Sequence, residues 1–303
     1  MNIIIPPLAE YTARLAQSTI HKGKRPASKS AHPLVSIITP TFNYGHTLGR
    51  TIQSVAHQTY PNIEYIIVDG GSTDTTAAVI AKNISHISRW VSEKDHGMAD
   101  AYNKGLAMAK GEFIQFINAD DYLGADQIAN AVKALQNATT AGFVCGDTEM
   151  VHPDNTPGYM VFGRPDFLRT MPWHFTVSFP SCMFRGAVFA QIGIFTTQKY
   201  FRSSWDYEWH ARAATAGIRG VYTSTILVHM QTGGFSGKLL HEQFQSSFTI
   251  NTTYYPYHPM AWLGLPIKYT KYALRRGLEA FGANSTIWHL RKLFNPAYVG
   301  SQR

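Results

Sequence analysis

Two adjacent carboxylates, Asp120 and Asp121, close the apolar run FIQFINADD. Paired charges at the end of a buried strand are costly unless a cation offsets them. Further along, Asp206 and Glu208 stand on alternate residues in FRSSWDYEWHARAA, ahead of a helical pattern. Asp95 lies in SEKDHGMADAYNKG, and Asp69 ends the apolar run IEYIIVD. So many acidic groups, in a protein of formal net charge +8 and pI about 9.4, suggest a hard cation and a phosphate-bearing ligand. Mg2+ or Mn2+ is commonly held by one or two carboxylates, with substrate phosphates completing the shell. Each residue also has a plainer reading. Asp69 before Gly70-Gly71 makes a turn, and Asp74 or Asp121 caps a helix. One such Asp alone reads as structural; four acidic sites at four successive strand ends point to shared chemistry.

The elements that position these groups alternate between two periods. LVSIITPTF and IEYIIVD are β-branched runs of the kind buried in a parallel sheet. ISRWVSEKD, EFIQFINADD and AGFVCGDTEMV continue the series of strands. Between them, TLGRTIQSVAHQ, TTAAVIAKN, MADAYNKGLAMAKG and ADQIANAVKALQNA carry apolar residues at helical spacing, Leu48, Ile52, Val55 and Ala56 in the first and Ile128, Val132 and Leu135 in the last. This alternation predicts an open, mostly parallel α/β sheet flanked by helices. In such sheets ligands bind at the carboxyl ends of the strands. The polar clusters Thr39–Asn43, Asp69–Asp74, Asp95–Gly97 and Asn118–Asp121 all fall there.

At 303 residues, with 45% hydrophobic and 15% charged residues, the chain suits one large globular domain with appendages. Residues 1–33 read as an N-terminal extension and a basic linker, HKGKRPASKSAHP. Residues 34–240 form the main domain, with a ligand-binding half at 34–150 and a Pro- and aromatic-rich half at 151–240. Residues 241–303 form a basic tail. In it Ile267, Leu274, Leu278 and Phe281 line one face beside Lys268, Lys271, Arg275 and Arg276. A basic amphipathic helix suits an anionic membrane surface, and equally a solvated face packed on its own domain. The two cysteines, Cys145 and Cys182, lack metal-ligand spacing, which fits a reducing cytosol and burial as small apolar groups. The start lacks the order of a signal peptide, and no stretch reaches the ~20 apolar residues of a membrane span. The expected place is the cytoplasm, at the inner face of the membrane if the tail lies on it.

The ordered set VSIITPTFN, TIQSVAHQTYPNIEYIIVDGGSTD, SEKDHGMADAYNKGLAMAKGEFIQFINADD and SSWDYEWHARAA resembles family-2 glycosyltransferases of the GT-A fold, in the branch that builds bacterial cell-surface polysaccharides. The likeness spans residues 34–236. It implies an enzyme that takes a nucleotide-diphosphate sugar, usually UDP-linked, and passes the sugar with inversion to a glycan or lipid-linked acceptor, assisted by Mn2+ or Mg2+. By the same resemblance, Thr39, Pro40 and Asn43 lie against the base and ribose, and Asp69 bonds the base. Asp95, Gly97 and Asp100 lie near the ribose, diphosphate or donor sugar, followed by Asn103 and Lys104. Asn118, Ala119 and Asp120 fall on the family's Asp-x-Asp, with Asp120 the direct metal ligand and Asn118 toward the ribose or a metal-bound water. Asp206 matches the catalytic base. Asp121, Trp205 and Glu208 belong to the acceptor side. LVHMQTGGFSG implies that His229, and Ser236 after it, approach the diphosphate and metal.

Other readings compete. A nucleotidyltransferase would carry a Gly-rich phosphate loop where TPTFNYGHTLGR stands, and a dinucleotide enzyme would carry G-x-G-x-x-G. Nucleic-acid binding is suggested by pI alone and has no reader motif, so no nucleic-acid partner is expected. Trp173, His174 and Trp205 are candidates for sugar stacking, or for core.

Overall fold

The computed structural model describes residues 2–25, 31–154, 156–172, 177–232, 240–264, 266–267, 270 and 298–300. In chain order the elements are α1 (Leu8–Leu15), β1 (His21–Lys22), β2 (Val35–Thr41), α2 (Gly45–Ala56), β3 (Ile63–Asp69), α3 (Thr76–Lys82), β4 (Arg89–Ser92) and α4 (Met98–Met108). Then follow β5 (Phe113–Phe116), β6 (Tyr122–Leu123), α5 (Gln127–Asn137), β7 (Ala141–Val151), β8 (Pro157–Val161), α6 (Phe167–Thr170) and β9 (Met183–Arg185). The last are α7 (Gly186–Ile192), α8 (Trp205–Thr215), β10 (Arg219–Gln231), α9 (Leu240–Tyr254) and β11 (Tyr298–Gly300).

One sheet runs β1-β4-β3-β2-β5-β9-β7-β10-β6, with β8 against β7 and β11 against β8. The block β4-β3-β2-β5 is parallel, as its β-branched runs predict. Alternate residues feed two cores. Ile38, Ile66, Val68 and Phe116 pack with Tyr102 and Leu106 of α4, while Ile37, Tyr65 and Ile67 pack with Leu48, Ile52 and Val55 of α2. Each fully buried aliphatic contributes about 1.5–3 kcal/mol. Gly105 lets α4 approach β2 closely, since a Cβ there would lie 2.3 Å from Ile38 Cγ2. The second half inserts β9 antiparallel between β5 and β7, and β10 then runs parallel to β7.

Two boundaries differ from those read in the sequence. The N-terminal segment is not an appendage: Tyr11 and Leu15 of α1 are buried in the core under α4, and β1 pairs with the edge strand β4. The apolar face of LAEYTARL covers surface that α4 would otherwise expose. Likewise α9 packs on α8, with Tyr207 bonded to Asn251 and Arg202 paired with Glu242 at 2.6 Å. Both cysteines are free and buried. Leu274, Leu278, Phe281 and the basic residues Lys268, Lys271, Arg275 and Arg276 lie outside the described residues. No helix among the described residues is long and apolar enough to cross a membrane.

Candidate active site

The loops after β2, β3, β4 and β5 meet at the carboxyl end of the parallel block. Thr41 is in register with Asp69, and Asp69 with Ser92. Asn43 adopts φ 59°, a left-handed conformation that its short amide side chain tolerates. Its N–H donates to Ser72 Oγ at 2.7 Å and its Oδ1 accepts Thr73 N–H at 2.9 Å. The Asp69 carboxylate accepts from Ser72 Oγ and Ser92 Oγ, each at 2.5 Å, and from the Ser72 N–H. Asp74 accepts Gly45 N–H at 3.0 Å. This network ties the β2 and β3 loops into one floor. Asp69 is thus buried, with its carboxylate bonded to two serine hydroxyls.

Thr39, expected against the nucleotide, is turned into the core, where it accepts the Tyr65 hydroxyl at 3.0 Å. Pro40 is buried beside it in β2. The next two residues differ in exposure. Thr41 Oγ1 is buried with no hydrogen-bond partner, and Phe42 is 55% exposed. Phe42, between Pro40 and Asn43, was not among the residues expected at the site, and the aromatic inside TPTFN is the signal that could have pointed to it.

The turn after β5 is held from α2. Thr51 Oγ1 donates to the carbonyls of Ala119 (3.0 Å) and Asp121 (2.7 Å), and Arg50 Nη2 to that of Asp120 (2.7 Å). Asn118 bridges two buried partners: Oδ1 accepts the Tyr102 hydroxyl at 2.7 Å, and Nδ2 donates to Asp121 Oδ2 at 2.8 Å. Asp121 Oδ1 also accepts Gln231 N–H at 3.1 Å. Burial and the neighbouring Asp120 charge push the Asp121 carboxyl far above its ordinary range. Asp121 is therefore an interior group, not an acceptor-side one. Asp120 is half-buried, and burial raises its pKa against the fields of Arg50 and His46. Arg50 spends its hydrogen bond on the backbone carbonyl, and among the described residues no ion pair meets the Asp120 carboxylate.

An uncompensated carboxylate beside a second one fits a bound cation. No three His, Cys, Asp or Glu side chains among the described residues converge on a metal position. The donor set suits an ion bound largely by phosphate and water, as Mg2+ and Mn2+ are. His229 sits at the same corner, paired with Tyr122 across β10 and β6. Its ring stacks on Tyr122 at 4.3 Å, with Arg50 over the other face at 4.5 Å. Its Nδ1 lies 2.7 Å from Glu149 Oε2. Ser236, Trp173 and His174 lie outside the described residues.

Because Asn118 is the donor to Asp121, Asn118→Asp is expected to destabilise the protein even though it restores an Asp-x-Asp. It replaces an N–H with an oxygen facing the Asp121 carboxyl, and a buried polar group left without its partner costs about 1–3 kcal/mol. A melt at pH 8 with EDTA should show a melting temperature lower by roughly 5 °C. The deficit should shrink as pH falls, because the introduced carboxyl, once protonated, can donate to Asp121 again. An unchanged melt would refute the bridging role.

Asp206 opens α8, with Oδ1 accepting the Tyr207 N–H at 2.8 Å. Burial raises its pKa to about 6 against hydrogen bonds from the Tyr207 N–H and its own. The phenol of Tyr102 is shifted upward by burial and then by the charges of Asp121, Asp120 and Asp206; its ring lies 5.2 Å from that of Trp205, the residue before Asp206. His210, one turn on, donates Nδ1–H to the Asp206 carbonyl at 2.7 Å, and burial lowers its pKa to about 4, leaving it neutral.

The remaining expected site residues have other partners. Glu208 is fully buried and accepts from Arg212 (2.9 and 3.0 Å) and from the Tyr254 hydroxyl (2.6 Å), tying α8 to α9. Trp205 packs edge-on against Phe179 and Phe195 at 4.7 and 4.9 Å. Asn103 clasps the Phe195 backbone with both side-chain atoms, at 2.8 and 3.0 Å. Lys104 is buried against Glu93 at 2.8 Å, and Asp100 faces Arg14 at 3.0 Å. Gly97 takes φ 109°, which a side chain would strain, and donates to Asp95 Oδ1 at 2.9 Å. Asp95 stays half-buried at the cleft.

A largely parallel sheet with polar loops and an acidic turn at its carboxyl ends, flanked by an Asp-bearing helix, defines a GT-A glycosyltransferase. The chain belongs to glycosyl transferase family 2, which matches residues 36–193. It is 26% identical over 226 residues to a PGL/p-HBAD biosynthesis glycosyltransferase of Mycobacterium bovis (strain BCG / Pasteur 1173P2), covering 73% of this chain and 86% of that one. It is 32% identical over 139 residues to the chondroitin synthase of Pasteurella multocida (strain Pm70), covering 45% and 14%. In fold it resembles S. aureus TarS 1-349 in complex with UDP-GlcNAc (TM-score 0.59, 18% identity, 77% of this chain and 69% of that one). It also resembles the mannosyltransferase PcManGT of Pyrobaculum calidifontis in complex with GDP-Man and Mn2+ (TM-score 0.53, 20% identity, 96% and 89%).

Proposed function

We propose that the protein is an inverting glycosyltransferase. It moves a sugar from a nucleoside-diphosphate donor, with UDP the favoured nucleotide, to a hydroxyl of a glycan or lipid-linked glycan in surface polysaccharide assembly. The observation that carries this reading is Asp206, a half-buried carboxyl with a pKa of about 6, whose neighbour Trp205 packs on Tyr102 while the Tyr102 hydroxyl bonds Asn118 of the Asp120 turn. A base with a pKa just below neutral is mostly ionised at working pH and still accepts a proton as one develops. Asp206 takes the acceptor hydroxyl proton while that oxygen bonds to the anomeric carbon. The bond from that carbon to the diphosphate oxygen breaks on the opposite face, and its electron pair leaves with the nucleoside diphosphate. One displacement inverts the centre.

Asp120 is the residue to hold Mn2+ or Mg2+, whose charge would offset that of the diphosphate. The tasks fall to separate carboxylates because a cation-bound one is a poor base. Phe42 offers a flat face to the base beside Asn43, and Asp95 reaches the ribose or sugar. The complexes of TarS with UDP-GlcNAc and of PcManGT with GDP-Man and Mn2+ support a nucleotide-sugar donor here. The exposed Tyr257, Trp262 and Leu263, within the basic tail, support contact with an anionic membrane.

The test is a panel of UDP-, GDP- and dTDP-sugars with Mn2+ or Mg2+, scored by thermal shift and by metal-dependent release of nucleoside diphosphate. At least one UDP-sugar should stabilise the protein and be hydrolysed slowly. A panel in which none binds would overturn the reading.

A further inference from the structure

The N-terminal helix lies before the residues matched by the family, yet through Asp100 it reaches the loop that carries Asp95. Three contacts converge on residues 93–97. Lys104 of α4, fully buried, donates to the Lys94 carbonyl at 3.0 Å and pairs with Glu93 at 2.8 Å. One turn earlier, Asp100 Oδ2 accepts the His96 N–H at 3.1 Å. The loop lies close over the end of β3, where a Cβ on Gly70 would come within 2.5 Å of Asp95 Oδ2.

Asp100 is held in turn from α1. The Tyr11 hydroxyl donates to Oδ1 at 2.7 Å, and Arg14 donates to both oxygens at 3.0 and 3.4 Å. Burial disfavours the Asp100 carboxylate, but Arg14, Tyr11 and the His96 N–H outweigh it and hold its pKa below the ordinary range. The helix is fastened independently at both sides. Ile4 N–H donates to Gln198 Oε1 at 2.9 Å, and His21 stacks on Trp90 at 4.2 Å. Losing the clamp on Asp100 therefore loosens the loop without releasing the segment.

We propose that α1 is a positioning element of the donor site: Tyr11 and Arg14 hold Asp100, Asp100 holds the His96 N–H, and loop 93–97 thereby presents Asp95 to the ribose of the donor. This rests on the reading of the cleft as a nucleoside-diphosphate-sugar site. It accounts for two acidic residues of one motif having different fates, Asp95 at the cleft and Asp100 turned away from it.

The experiment compares full-length Arg14→Ala, Arg14→Lys and Tyr11→Phe with wild type. Dissociation constants for UDP and GDP in Mn2+ are measured by calorimetry, and hydrogen exchange of the 93–97 amides without nucleotide. Loss of one hydrogen-bonded charge contact should weaken nucleotide binding about tenfold in Arg14→Ala and less in Tyr11→Phe. Exchange at 93–97 should quicken in both, and Arg14→Lys should recover most of the affinity. If Arg14→Ala fails to fold, Tyr11→Phe, which removes one hydroxyl, carries the test alone. Wild-type binding with unchanged affinity and exchange in the variants overturns the clamp and leaves the donor site standing. If wild type binds neither nucleotide, the donor-site reading falls and this inference with it.

Discussion

Asp206→Asn is expected to lower the transfer rate about 10³-fold, within the range a positioned general base contributes, while leaving nucleotide binding unchanged. The side chain keeps its shape and its place at the start of α8, so the deficit reports the missing proton acceptor. In the wild type the carboxyl must be ionised to act. With a pKa raised to about 6, activity should be flat above pH 7 and fall about tenfold per pH unit well below pH 6. Stability should move the other way. A carboxyl whose pKa is raised on folding binds its proton more tightly in the folded state. Ionising it therefore costs stability, between its unfolded value of about 3.9 and about 6, and fully above that. Asn does not ionise, so the variant should melt at or above the wild-type temperature at pH 8. Initial rates and melts on one preparation decide the matter; a near wild-type rate would remove Asp206 from the mechanism.

Asp120→Ala is expected to cost on the order of 10²–10³ in rate, the size of losing one electrostatic contact to a developing charge. The carboxylate stands half-buried without a cationic partner among the described residues, and it is the Asp-x-Asp member turned to the cleft. Binding of Mn2+ in the presence of UDP, followed by loss of the free-ion electron paramagnetic resonance signal, should weaken at least tenfold. Asn118→Ala should act differently. It leaves the Tyr102 hydroxyl and the Asp121 carboxylate each short of a partner, so its main effect should be a lower melting temperature, with part of the activity restored by excess Mn2+. Equal rate losses, with equal Mn2+ affinities, would mean that Asp120 is not the residue that holds the ion.

Much of this was legible along the chain. The strands β2, β3, β5 and β7 and the helices α2 and α5 follow from local period, because a buried parallel strand and an amphipathic helix each announce themselves within ten residues. The acidic groups at the strand ends followed from the same reading. What stayed hidden was which of them face the cleft. Thr39, Asp100, Asn103, Asp121 and Glu208 all belong to the motifs, and each is turned to an interior partner.

The amino-acid order by itself determined the parallel α/β sheet, the positions of Asp69, Asp95, Asp120 and Asp206 at element ends, and the family resemblance. Those depend on short-range periodicity and on motifs of a few residues. The tertiary structure alone decided the orientation of each side chain. Asp100 meets Tyr11 89 residues away, Asn103 meets Phe195 92 residues away, and Asp121 meets Gln231 110 residues away. A local pattern states which face of a helix or turn is polar, but not what is packed opposite it. Burial then settles the outcome: where a distant donor or cation arrives, the carboxylate becomes structural, and where none does, as at Asp120 and Asp206, its charge remains for a ligand or a proton.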